Sequence, residues 1–108
     1  MSLIDKAALR RPRLKHEDVE VPELGGTVRL RELTTGEVEQ ARGAKEIDEF
    51  ARAAQLLGNS IIDEQGARLL ADDEVMEVMR GLPVSVVERL MKTLNRLNGT
   101  AAEVAAKN

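Results

Sequence analysis

Adjacent carboxylates such as Glu17-Asp18, Asp63-Glu64 and Asp72-Asp73 are the groups in this 108-residue chain best suited to moving protons. Paired acids serve as general acid and base when a second kind of reactive group converges on them. Each pair here has a simpler local reading: strand-edge charge for Glu17-Asp18, a turn at Asp63-Glu64-Gln65-Gly66, and a helix cap at Asp72. His16 is the single histidine and sits between Lys15 and Glu17. A metal site needs convergent ligands, so His16 reads as an exposed side chain. There is no cysteine, which removes thiol nucleophiles, disulfides and thiolate metal sites together. Asp63-x-x-Gly66 lacks the ligand spacing of a calcium loop. Leu24-Gly25-Gly26-Thr27 has no following lysine and precedes a strand pattern, so it reads as a turn rather than a phosphate cradle. With Phe50 as the single aromatic residue, stacking on bases or sugars is essentially excluded. The residues point to a non-enzymatic protein with no cofactor and no metal.

The elements that would position any binding surface follow from periodicity. Ser2 to Arg10 reads as a short helix capped by Ser2, with Asp5 in its first turn. Pro12 interrupts any continuation. Val19 and Val21 alternate with Asp18 and Glu20; beyond Gly25-Gly26, Val28 and Leu30 alternate with Arg29 and Arg31. Two period-two runs around a glycine turn predict a β-hairpin. Glu20 opposite Arg29 or Arg31 would suit cross-strand pairing. A lone ribbon is marginal and needs support, which the sequence assigns to the helix that follows.

Thr34-Thr35-Gly36-Glu37 is a capping-box pattern for that helix. Val38, Ala41, Ile47, Phe50, Ala51, Ala54, Leu57 and Ile61 recur at helical steps, with a bend or break expected near 43–45 at Gly43. Ile61-Ile62 and Leu69-Leu70 flank the Gly66 turn and should lie near one another. Asp72 is the expected N-cap of a short helix carrying Val75, Met76, Val78 and Met79, ended by Gly81. Pro83 suits the first turn of the last helix, with Ser85 and Glu88 as an alternative capping box. Val87, Leu90, Met91, Leu94 and Leu97 form its apolar stripe, and Asn98-Gly99 closes it. The fold class is therefore α+β and mainly helical: an N-terminal β-hairpin packed on a bundle of about three helices. Residues 1–16 form a basic arm with a short helix, 17–99 a single domain, and 100–108 a flexible Ala-rich tail. No apolar stretch is long enough for a membrane span and the N-terminus lacks an apolar signal core, so a soluble cytoplasmic protein is expected.

Two binding surfaces compete. In the arm, Lys6, Arg10, Arg11, Arg13 and Lys15 stand against Asp5 alone, although the whole chain carries −3. With Arg89, Lys92 and Arg96 along one side of the last helix, these cations could contact phosphates. Against nucleic acid stand the acidic body and the carboxylates Asp72, Asp73, Glu74 and Glu77 on the preceding helix. The other surface is apolar. Met76, Met79 and Met91 lie within sixteen residues on two helices expected to face each other, and unbranched Met adapts to irregular partners. Core filling is the commoner explanation of such residues. Met76, Met79, Leu90, Met91, Leu94 and Leu97 are nevertheless the candidates for partner binding in a chain with a thin aliphatic core.

From Val19 onward the sequence resembles the tail assembly chaperones of long-tailed, lambda-like bacteriophages and prophages. The patches that carry the resemblance are, in order, Val-Glu-Val-Pro-Glu-Leu-Gly-Gly-Thr-Val-Arg-Leu-Arg-Glu-Leu (19–33), Ile-Ile-Asp-Glu-Gln-Gly-Ala-Arg-Leu-Leu (61–70), Asp-Asp-Glu-Val (72–75), Gly-Leu-Pro (81–83) and Leu-Asn-Gly (97–99). The resemblance implies a non-catalytic morphogenesis factor that coats the tape measure protein, keeps it soluble and helps recruit tail tube subunits. It also implies homo-oligomers, absence from the finished virion, and a longer form made by programmed frameshifting that contacts the tube protein. Ala106-Lys107-Asn108 is compatible with a slippery codon run at such a site. The alternative reading is a small prophage DNA-binding regulator using the basic arm and the last helix.

Overall fold

A computed structural model describes residues 2–43 and 48–99. The first helix, α1 (Lys6–Arg10), is shorter than the spacing predicts, because Asp5 rather than Ser2 caps it: its Oδ1 accepts the Ala8 amide at 2.9 Å. Strand β1 (His16–Val21) ends at Pro22, where a single 3-10 turn over Pro22–Leu24 and a left-handed Gly25 (φ 77°) reverse the chain into β2 (Gly26–Arg31). Only glycine adopts that φ without strain. The register sets Asp18 opposite Arg29 and Glu20 opposite Thr27. The expected Glu20–arginine pairing is thus replaced by an Asp18–Arg29 ion pair at 2.7 Å.

The capping box forms as the sequence predicts. The Glu37 amide donates to Thr34 Oγ1 at 3.2 Å and the Thr34 amide to Glu37 Oε1 at 2.9 Å. The long helical run is two helices, α2 (Thr35–Gly43) and α3 (Glu49–Ser60). Asp48 starts the second by accepting the Ala51 amide at 2.7 Å. Residues 44–47, including Ile47, lie outside the described residues, as does the 100–108 segment. A buried Arg52 on α3 donates through Nε to the Ala41 carbonyl at 3.0 Å and ties α3 to α2.

Ser60 ends α3 with its hydroxyl donating to the Arg31 carbonyl at 2.6 Å. Ile61 and Ile62 then become β3 (Ile61–Ile62) instead of prolonging the helix, and pair antiparallel with Leu30 and Arg29 of β2. The sheet order is β1-β2-β3, with β1 on one edge. Asp63 Oδ1 accepts the Gln65 and Ala67 amides, Gly66 takes φ 84°, and the Leu69 amide donates to the Ile61 carbonyl at 3.0 Å. The two apolar pairs therefore meet across the turn, as their spacing predicts.

Helix α4 (Asp72–Gly81) has Ala71, not Asp72, at its N-cap. Glu74 reaches back to accept the Ala71 amide at 2.8 Å, which frees Asp72 to pair with Arg68 at 2.6 Å. Helix α5 (Val84–Asn98) begins directly after Pro83, and Gly99 (φ 67°) closes it. The hairpin rests on α5 and on α3, the second half of the helical run to which the sequence assigned its support. Its inner face contributes Val19, Val21 and Leu30 to a core shared with Leu56 and Leu57 of α3, Met79 of α4, and Val86, Leu90 and Leu94 of α5. The fold is α+β, as expected.

The packing of α4 on α3 turns on one missing side chain. A Cβ built on Gly58 would lie 2.6 Å from Val75 Cγ2. The β-branched valine cannot swing away cheaply, so the two helices approach at that point only because Gly58 is bare. Gly58→Ala should destabilise the fold by about 1–3 kcal/mol despite its better helix propensity. Adding Val75→Ala should recover part of that loss. Urea midpoints of the two single variants and the double variant test the coupling; additive losses would contradict it.

Candidate partner-binding surface

The six apolar residues selected from the sequence divide into two groups. Met79, Leu90 and Leu94 are 1%, 1% and 0% exposed and belong to the core. This corrects their assignment to a partner surface: helical spacing locates an apolar stripe but does not say which part of it the rest of the chain covers. Met76, Met91 and Leu97 pack against the core and remain partly exposed. Val84, which the sequence reading passed over, is 73% exposed at the start of α5. Val84, Val87 and Met91 are spaced i, i+3, i+7 and so share one flank of that helix. The signal was present in the sequence but lay just outside the stripe chosen.

The basic face of α5 is largely committed within the fold. Arg89 reaches Glu23 with both guanidinium nitrogens, at 3.0 and 2.6 Å, and also donates to the Glu20 carbonyl. Arg96 pairs with Glu17 at 2.6 Å. These contacts fasten α5 to β1 and to the turn behind it. Lys92 is exposed, as are Arg10, Arg11 and Arg13 of the arm. The structure thus separates the arm cations from Arg89 and Arg96 in role, and gives no convergent basic groove from α5.

The same pairs perturb the carboxylates. The Arg89 guanidinium, with a smaller backbone contribution, holds the Glu23 carboxyl down at about 2. Hydrogen bonding from Arg29 lowers Asp18, and the pairing raises Arg29 and Arg89 in turn. Burial acts to raise Glu37, but Arg31 and the Thr34 amide together outweigh it and leave that carboxyl lowered. None of these groups is poised near neutrality, as a general acid or base would be.

A cleft of about 340 Å³ opens between α3 and α4 beside α2, lined by Gln40, Ala51, Gln55, Asn59, Arg68, Asp72, Val75 and Met76. Its lining mixes apolar Ala51, Val75 and Met76 with three neutral amides and the Arg68–Asp72 ion pair. Among the described residues no three His, Asp or Glu side chains converge as a metal site. No helix there is long and apolar enough to cross a membrane.

The arrangement is that of a small α+β fold whose described residues include partly exposed apolar side chains and a cleft with three amides. Among solved structures it is similar to the tail assembly chaperone of bacteriophage HK97, with a TM-score of 0.67 over 86% of this chain and 92% of that one, at 22% sequence identity. The two chains share a fold. No protein-family model matches the sequence, and no curated protein matches it significantly.

The lowered carboxylates set an acid limb to stability. A group whose folded value lies below its ordinary one stabilises the fold fully above the ordinary value and loses that contribution as pH falls through the folded value. For Glu23 the window runs from its ordinary 4.5 down to about 2. Urea midpoints should therefore fall across that window, and Glu23→Gln should flatten part of the slope while changing little of it above 4.5. An unchanged slope in the variant would show that Arg89 does not hold this carboxylate in solution.

Proposed function

We propose that this chain is a tail assembly chaperone of a long-tailed bacteriophage or prophage, which binds and solubilises the tape measure protein and helps recruit tail tube subunits around it. The observation that carries the reading is the fold shared with the HK97 chaperone across 86% of the chain. It agrees with the ordered sequence patches between residues 19 and 99. The role is one of assembly in the host cytoplasm, by a homo-oligomer that leaves before the virion is complete and whose frameshifted longer form contacts the tube protein. In this reading 17–99 is the working domain, 1–16 an arm and 100–108 a tail.

The physical basis is burial of apolar surface. A long helical tape measure exposes apolar stripes until tube subunits surround it, and many copies of a small binder favour the soluble state by mass action. On this chain the surface suited to such stripes is the α5 flank of Val84, Val87 and Met91, with Met76 and Leu97 as the other partly exposed members of the original six. The alternative of a DNA-binding regulator is disfavoured by the engagement of Arg89 with Glu23 and of Arg96 with Glu17.

Co-expression with the neighbouring tape measure gene tests the function, because the tape measure should become soluble only when the chaperone is present. Val84→Asp with Met91→Asp should reduce the co-purified tape measure by about tenfold or more, equivalent to 1.4 kcal/mol, with the far-ultraviolet circular dichroism unchanged. Co-purification at the wild-type level would remove this flank from the interface. A tape measure that stays insoluble beside the wild-type chain would overturn the chaperone reading itself.

A further inference from the structure

Asn98 is followed by Gly99, the one Asn-Gly step in the chain. An asparagine side-chain amide is open to attack by the backbone nitrogen of the next residue, which makes asparagine one of the thermolabile side chains. Glycine has no Cβ and leaves that approach least hindered. The chemistry available at this step is therefore hydrolysis of the Asn98 amide through its own backbone.

The structure holds that amide from both sides. Its Oδ1 accepts the Leu33 amide at 2.6 Å, and its Nδ2 donates to the Leu94 carbonyl at 2.8 Å. Leu33 and Leu94 are both buried, so one side-chain amide joins the last turn of α5 to the chain leaving β2. Water is not kept away. Asn98 is partly exposed and lines an open groove of about 490 Å³ with Glu32, Thr34, Thr35 and Arg42. What the fold withholds from the reaction is freedom of the amide.

We propose that Asn98-Gly99 is a site of spontaneous deamidation, gated by this clamp, and that the product releases the clamp. The Gly99 nitrogen gives its proton to hydroxide and attacks Asn98 Cγ; the Cγ–Nδ2 bond breaks, and Nδ2 takes a proton from water and leaves as ammonia. Water then adds to either carbonyl of the cyclic imide, giving aspartate, or isoaspartate with the main chain rerouted through Cγ. One water is consumed, one ammonia is released, and nothing is oxidised or reduced. Ring closure turns the side chain out of both hydrogen bonds, so the reaction proceeds from the opened last turn of α5. The product cannot remake them. Aspartate keeps an acceptor for Leu33 but has no hydrogen for the Leu94 carbonyl, and its charge lies at the negative end of the α5 dipole. The inference goes beyond the chaperone reading and does not depend on it, because every measurement is made on the purified chain.

The experiment incubates the full-length chain in mildly alkaline buffer, folded and in unfolding guanidinium chloride. Peptide mass and isoaspartyl methyltransferase labelling follow conversion at Asn98. Conversion should be about tenfold or more faster in denaturant, because the native rate follows the opened population. Gly99→Ala should slow the reaction in denaturant severalfold, where its effect on the fold plays no part. Asn98→Asp should lower the urea midpoint, and wild-type chain aged to full conversion should show a lowered midpoint too, which keeps the test open if the variant does not fold. Equal rates in the folded and unfolded chains would overturn the gating. No conversion at Asn98 in denaturant, or an unchanged midpoint after conversion, would overturn the site or its structural consequence.

Discussion

The β1–β2 ribbon has one apolar face, and covering that face is the condition on which the remaining architecture depends. Two strands alone are marginal in water. Here β2 gains a short third strand on its open side, and Val19, Val21 and Leu30 are sealed beneath α5 and α3. Arg89 and Arg96 then grip β1 and its turn from the edge of α5, while Asn98 accepts the Leu33 amide at 2.6 Å where β2 leaves the sheet. Exposed ion pairs contribute little individually. Their value is geometric: they fix the azimuth of α5 on the sheet, so the aliphatic side chains meet in one arrangement.

Local features were legible in the sequence because their causes are local. The Thr34–Glu37 box, the Asp63–Gly66 turn and the glycine after Asn98 each involve residues within a few positions of one another. The support from α5 was not legible, since Glu17 and Arg96 are separated by 79 positions and Glu23 and Arg89 by 66. A basic stripe on an amphipathic helix looks the same whether it faces phosphate or a distant strand. The same limit explains the six apolar residues. Periodicity identified all of them as belonging to apolar faces, yet only tertiary packing separates Met79, Leu90 and Leu94 in the core from Met76, Met91 and Leu97 at its margin. It also explains Asp72, whose capping role passed to Glu74 once Arg68 came within reach.

The Leu97-Asn98-Gly99 patch shows how sequence resemblance and structure inform each other. Asn98 accepts from Leu33, donates to the Leu94 carbonyl at 2.8 Å, and precedes a glycine at φ 67°. Asn98 and Gly99 therefore support the fold, while Leu97 beside them stays partly exposed. Gly58 belongs to the same kind of constraint, setting how closely α4 approaches α3 and hence how the cleft between them is shaped.

Strand β1 has a consequence for solubility at high copy number. It forms a sheet margin, and such margins recruit strands from other molecules unless something opposes them. Glu17, Asp18 and Glu20 place three carboxylates along that margin, with Asp18 paired to Arg29 and Glu17 to Arg96. An approaching second β1 would bring like charges into register. The ribbon is thereby guarded against fibrous stacking.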